Sequence, residues 1–208
     1  MPPFVIAISG GSGSGKSTLA AALAARFPDD TAVLCQDWYY RDLSHLDESA
    51  RARQNFDAPD AIDVERFAAD LRALRAGDPV SAPSYDFTRH LRTGDTLRIS
   101  PKPLIILEGL HVTAMTGLSG LADLRVYVDA PAPLRLERRL ARDMRERGRS
   151  AGQVLAQYRG TVEPMHEQHV APLRESADAV VDGARPPEEA VALLVPRIPL
   201  RGGARVGQ

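Results

Sequence analysis

Residues Phe4–Thr18 read FVIAISGGSGSGKST: an apolar run, a serine, then a glycine-rich stretch closing on lysine, serine and threonine. A continuous apolar run of this length predicts a strand buried on both faces, the pattern of a parallel sheet. KSTLAAALAARF, from Lys16 to Phe27, is rich in good helix formers. The glycine loop therefore joins a strand to a helix, and Gly10-(x)4-Gly15-Lys16-Ser17 satisfies the spacing G-x-x-x-x-G-K-[ST]. Gly10, Gly11, Gly13 and Gly15, with Ser12 and Ser14 between them, let successive backbone N–H groups turn inward and cradle phosphate oxygens. In that motif Lys16 reaches the β- and γ-phosphates and the Ser17 hydroxyl binds Mg²⁺, while Thr18 lies in the first turn of a helix whose N-terminal end attracts anions. A glycine-rich turn with a solvated lysine is the competing reading, and the strand–loop–helix context argues against it.

The alternation continues outward. Thr31–Cys35 (TAVLC), Pro103–Gly109 (PLIILEG), Leu124–Ala130 (LRVYVDA) and, more weakly, Ala177–Gly183 (ADAVVDG) predict further strands. Helical patterns occupy Val64–Gly77, Pro133–Gly148 and PPEEAVALLVPRI, from Pro186 to Ile198. Strands alternating with helices predict an α/β protein: a P-loop NTPase-type three-layer fold with a central parallel sheet and helices on both faces. Residues 78–100 break this rhythm. Their short alternating runs around TGD (Thr93–Asp95) predict a small β-hairpin insertion turning there. One domain is expected over 1–208, with a frayed tail from 200 onward.

Twenty-six basic residues against 27 acidic give a formal charge of −1, so no global field points to nucleic acid or membrane. The single cysteine, Cys35, excludes an intramolecular disulfide framework and a cysteine-built metal site. FVIAI is too short for a signal-peptide core, and no apolar window approaches the length of a membrane span. A cytoplasmic protein is expected.

A P-loop metal site needs an acid at the end of a neighbouring strand, and Glu108 closes LIILE. A strand-end glutamate facing water is the plainer alternative. Asp37 follows the second strand, on the edge where open α/β sheets hold ligands. It could take the proton from an attacking hydroxyl, or simply cap a helix. QDWYYRD around it adds Tyr39 and Tyr40; NFDAPDAID (Asn55–Asp63) adds Phe56 and Asp57; PSYDFTRHLR (Pro83–Arg92) adds Tyr85, Asp86, Phe87 and His90. Carboxylates that hold vicinal hydroxyls, rings that stack and an imidazole edge would suit a polyol carrying a planar base. Local aromatic packing would explain the rings equally well.

SGGSGSGKST, QDWYYRD, NFDAPDAID, PSYDFTRHLR, IILEG, RRLARDMRERGR, QYRGTVEPMH and SADAVV occur in the order found in uridine kinases. Over about Phe4–Val181 the chain thus resembles uridine–cytidine kinases, within the broader phosphoribulokinase/uridine kinase family of P-loop kinases. The resemblance implies transfer of the γ-phosphate of ATP or GTP, with Mg²⁺, to the 5′-hydroxyl of uridine or cytidine. It makes Asp37 the general base, also near the metal, and Glu108 the strand-end acid beside Mg²⁺. Tyr40, Phe56 and Asp57 fall at ribose-side positions, Tyr85 and His90 at pyrimidine contacts, and Gln157 near the nucleoside. It further implies a homotetramer, with a nucleoside and a nucleoside triphosphate as the small-molecule partners.

Seven arginines lie between Arg135 and Arg149. Leu136, Leu140 and Met144 form one apolar stripe at i, i+4 and i+8, so the arginines project elsewhere. Arg135, Arg138 and Arg145 are expected on a solvated face. Arg139, Arg142, Arg147 and Arg149 match the family's arginine lid, about 142–152. There planar guanidinium forks can hold phosphoryl oxygens, Arg139 and Arg147 lie toward the acceptor, and Arg149 lies toward ATP. A basic helix gripping nucleic acid is disfavoured by the acidic net charge. The chain departs from the family pattern at Ala58, where histidine is usual, and at DGARPPEEA (Asp182–Ala190), which leaves contacts to the donor base open. His111 reads as a strand-exit residue, and His166 and His169 as helix-surface or substrate-side groups. The competing functions are a sister kinase of another small hydroxyl substrate (nicotinamide riboside, phosphoribulose or pantothenate) and a non-catalytic nucleotide-binding regulator.

Overall fold

The fold is built around β1 (Phe4–Gly10), the central strand of a five-stranded parallel sheet. The computed structural model describes residues 2–115, 117–118 and 120–200. The other sheet strands are β2 (Thr31–Cys35), β5 (Leu104–Glu108), β6 (Leu124–Asp129) and β7 (Ala179–Asp182), in the order β2-β5-β1-β6-β7. All of them fall within the sequence-predicted segments or run slightly past one end. The tail expected to fray lies, from residue 201 on, outside the described residues.

Alternation along β1 feeds two cores. Val5 and Ala7 join Leu34, Ile105 and Leu107 under Phe67, Leu71 and Leu74 of helix α3 (Val64–Ala76). Ile6 and Ile8 join Ile106, Val126 and Val128 under Leu19 and Leu23 of α1 (Lys16–Arg26) and Leu194 of α7 (Pro187–Leu194). Both faces of the sheet are therefore covered, which is why the strands read as unbroken apolar runs.

The insertion is a hairpin of β3 (Val80–Asp86) and β4 (Leu91–Ile99), paired antiparallel. Its turn is not at Thr93–Asp95, which lie inside β4. The chain reverses at Phe87–His90, where Asp86 Oδ1 accepts from Thr88 N, Thr88 Oγ1 and Arg89 N, and His90 adopts φ 54°. An aspartate satisfying three donors outcompetes a glycine as the turn signal here.

Helix α4 (Ala132–Glu146) corrects a second expectation. Its buried residues are Arg135, Arg139 and Asp143, whereas Met144 of the apolar stripe is 51% exposed. Arg135 is buried, with Nε donating to the Ala130 carbonyl, and Arg138 Nη1 donates to the Gly183 carbonyl at 2.8 Å. Only Arg145, paired with Glu146, keeps the solvated position expected of all three. The charged stripe turns inward because the phosphate loop and the following helix offer it acceptors. That helix begins at α5 (Ala151–Gln157), passes through a π turn at Tyr158–Val162, a short α6 (Glu163–Met165) and a second π turn at His166–Val170; the sequence reading touches it only at Gln157 and at His166 and His169, the last two read as helix-surface or substrate-side groups. Another short helix, α2 (Glu48–Ala52), precedes the NFD segment.

Candidate active site

Parallel strands bring their C-terminal ends to one edge of the sheet, and that edge carries the site. β1 delivers the glycine loop, β2 delivers Asp37 and β5 delivers Glu108. Gly13 has φ 80°, and a Cβ there would lie 2.3 Å from the Arg135 carbonyl oxygen, so α4 packs directly on the loop. Buried Lys16 folds back, its Nζ donating to the Gly11 carbonyl at 3.4 Å.

Ser17 Oγ donates to Glu108 Oε2 at 3.0 Å, and Cys35 Sγ donates to Glu108 Oε1 at 2.8 Å. Burial, then the Glu108 charge, pushes the Cys35 thiol up, so it remains a neutral donor. A hydroxyl touching a carboxylate supplies two oxygen donors of the kind that suit Mg²⁺ with substrate phosphates and water completing the shell. The residues fit that ion.

Two of the clefts at this edge adjoin Lys16. The larger, about 420 Å³, is bounded by Gly15, Lys16, Ser17 and Thr18 on one side and by Asp182, Gly183, Arg185 and Pro187 on the other. The DGARPPEEA segment thus flanks the exit of the phosphate loop. The second cleft gathers Asp37, Tyr40, Phe56, Asp57, Tyr85 and His90 from three segments far apart in sequence: the exit of β2, the NFD loop and the hairpin. Arg139 from α4, Arg147 and Arg149 from the turn after it, and Gln157 from α5 close it. Lys16 and Arg142 line both clefts, so the two meet there.

The second cleft is narrow because its rings pack on one another. Phe56 and His90 stack at 4.5 Å, and Tyr40 lies edge-on to Phe56 at 5.4 Å and tilted against Tyr85 at 5.1 Å. Burial, followed by the Arg149 and Arg147 charges, lowers His90 to about 4, so the ring is neutral near pH 7. Arg149 Nη2 faces His90 Nε2 at 3.3 Å. Arginine only donates, so Nε2 accepts and the ring proton sits on Nδ1. Burial raises Asp57 above the usual carboxylate range, with Arg139 opposing the shift from 3.9 Å.

Two buried partners of this cleft escape sequence reasoning. His111 does leave β5, but its Nε2–H donates to the Asp57 carbonyl at 2.9 Å, and its backbone N–H donates to Gln36 Oε1 at 2.8 Å. The Gln36 side chain fills the space a Cβ on Gly109 would need. The exits of β2 and β5 are thus tied to the Asp57 loop. His166, on the helix and partly buried, packs its ring beside Gly11 and lines a small recess with Ser12 and Asp57, and His169 lies edge-on to His111. No local signal marks these contacts, since each joins segments far apart in sequence.

Arg139 spans the junction: Nη1 donates to Ser12 Oγ at 2.8 Å and Nη2 to Gln157 Oε1 at 2.9 Å. Arg149 Nη1 donates to the same Gln157 oxygen at 2.8 Å, and the Arg147 guanidinium lies 4.6 Å from the Phe87 ring centroid. The arrangement can hold a polyphosphate on the loop, present a hydroxyl beside Asp37 and surround the gap with guanidinium donors.

Among the described residues no helix is long and apolar enough to cross a membrane. The sequence profile of the phosphoribulokinase/uridine kinase family matches residues 5–191. A uridine kinase of Geobacillus kaustophilus is 41% identical over 197 residues, spanning 94% of this chain and 93% of that protein. A uridine kinase of Clostridium novyi is 38% identical over 199 residues, spanning 95% and 96%. In fold, the chain is similar to a solved Bacillus stearothermophilus protein described as a possible uridine kinase, with TM-score 0.60, 19% identity and coverage of 88% and 90%.

Proposed function

This chain belongs to the phosphoribulokinase/uridine kinase family, and from that premise we propose that it is a cytoplasmic uridine/cytidine kinase, transferring the γ-phosphate of ATP or GTP to a pyrimidine ribonucleoside. The observation that carries this reading is the meeting of two clefts at Lys16 and Arg142, one leading from the phosphate loop and one holding Asp37 among aromatic rings. A nucleotide-binding regulator has no use for the second cleft.

In this reading the loop amides and Lys16 hold the donor phosphates. Ser17 and Glu108, with Asp37 nearby, would hold Mg²⁺, which would shield charge on the phosphates when bound. Asp37 accepts the proton of the acceptor hydroxyl as its oxygen attacks phosphorus. Asp57 binds the ribose hydroxyls, helped by Phe56 and Tyr40. Tyr85 stacks on the base, and neutral His90, whose Nε2 accepts from Arg149, offers it the Nδ1–H donor. Arg139, Arg142, Arg147 and Arg149 stabilise charge on the transferring group and exclude water; Arg149, expected toward ATP, lines the acceptor cleft instead. The narrow cleft must widen between Phe56 and His90 to admit a base, so acceptor entry moves the hairpin turn or the lid.

Incubation with Mg·ATP and uridine should yield the 5′-monophosphate, detected by mass spectrometry. Asp37→Asn should cut the rate by at least about 100-fold while ATP binding, read by calorimetry, stays within a few-fold, as expected for loss of a general base. Full turnover in that variant would remove Asp37 from the mechanism, and no phosphorylation of a pyrimidine nucleoside by the wild type would overturn the function.

A further inference from the structure

α4 buries one carboxylate among four guanidiniums. Asp143 has no exposed surface. Its Oδ1 accepts from Arg142 Nε at 2.9 Å, with Arg142 Nη2 at 2.8 Å and Arg147 Nη1 at 3.6 Å. Its Oδ2 accepts from Arg149 Nη1 at 3.0 Å, with Arg139 Nε at 3.7 Å. The Asp143 carbonyl accepts the backbone N–H of Arg147 at 3.1 Å and of Arg149 at 3.3 Å. One residue thus fixes the turn out of α4 through its main chain and the four arginines through its side chain.

All four arginines line the cleft that holds Asp37, whereas Asp143 lines neither cleft. Guanidiniums so close together repel one another, and a buried charge is tolerated only when paired. Asp143, Asp57 at 3.9 Å from Arg139, and Asp37 beside Arg147 give three carboxylates to these four cations and Lys16, so the cluster keeps a positive excess that faces the site. A polyphosphate supplies the missing negative charge.

We propose that Asp143 is a positioning residue for phosphoryl transfer. It anchors Arg142 and Arg149 by direct hydrogen bonds, holds Arg139 and Arg147 at the edge of the cleft, and leaves the cluster cationic enough to take up the triphosphate. It touches neither substrate and acts through the arginines. The inference rests on the phosphotransfer reading above.

The residue's charge and its geometry are separable. Asp143→Asn keeps the shape and removes the charge, so the cluster becomes more cationic while its guanidiniums lose their common anchor. Ground-state attraction for ATP then holds or strengthens, and the transition-state arrangement is lost. A residue needed only for folding would instead weaken affinity, rate and stability together.

The test measures ATP and tripolyphosphate affinity by calorimetry, and kcat with the best acceptor found for the wild type. The expected result for Asp143→Asn is a kcat at least about 100-fold lower, the scale of losing a preorganised donor, with both affinities equal to or tighter than wild type. A kcat within threefold of wild type would overturn the proposal, as would affinity falling in step with kcat. Asp143→Glu provides a second reading that retains the charge but shifts its anchor: kcat should fall at least tenfold with ATP affinity within about twofold. Unfolding of both variants would assign Asp143 to folding and overturn the proposal. If the wild type phosphorylates some other hydroxyl, the acceptor assignment fails while the Asp143 comparison stands.

Discussion

Gly13 carries two requirements at once, a φ of 80° and contact with α4 that leaves no room for a Cβ. Gly13→Ala should therefore cost more than about 1 kcal/mol from left-handed strain alone and weaken ATP binding, as read by thermal melts and calorimetry. Stability and affinity equal to wild type would show that loop and helix can separate freely. The glycine spacing is legible in sequence because a phosphate cradle is local chemistry, confined to a few consecutive residues. The arginines that back it are not. Arg139 reaches Ser12 across 127 residues, and helical periodicity records which residues share a face without recording what that face will meet. For α4 the apolar stripe gives the wrong side, because Ser12, Gln157 and Asp143 repay the burial of its cations.

At the scale of elements, the strands are read nearly to their ends because burial on both faces leaves continuous apolar runs. The hairpin is also foreseen, but its turn is misplaced: Gly94 belongs to β4, whereas Asp86 and the left-handed His90 reverse the chain. The loops beyond the strands are joined by Gln36, His111 and Asp57. Removing the imidazole should let the Asp57 loop drift without touching the phosphate loop. His111→Ala is expected to raise the acceptor KM by about tenfold, the scale of one buried hydrogen bond, with donor KM unchanged in steady-state assays. Equal changes in both constants would mean that His111 supports the whole edge of the sheet. Deeper in the sheet, Leu107 is wholly buried, and Leu107→Ala should cost about 2–5 kcal/mol in denaturant unfolding. A loss below 1 kcal/mol would contradict the tight packing of that core.

The whole molecule should be sensitive to mild acid. His90 and His166 are each lowered to about 4, chiefly by burial, with Arg149 and Arg147 beside the first and Arg135 beside the second. In the unfolded chain histidine titrates near 6.5. Between those values the unfolded state binds protons that the folded state refuses. The contribution is complete above pH 6.5 and is lost as pH falls toward 4. Thermal midpoints should drop across that window, and a His90→Asn/His166→Asn double variant should drop less steeply. Parallel curves would mean that neither ring is held neutral by the fold.

The identity of the acceptor decides whether this chain is a nucleoside kinase. A purified wild-type enzyme given Mg·ATP and, separately, uridine, cytidine, nicotinamide riboside, ribulose phosphate and pantothenate, with nucleotide release followed by a coupled assay and products identified by mass, addresses it directly. The cleft built from Asp57, Tyr85 and His90 predicts a 5′-monophosphate from uridine or cytidine at a far higher kcat/KM than from the others. Efficient phosphorylation of nicotinamide riboside, or of a substrate lacking a base, with none of uridine or cytidine, would contradict it.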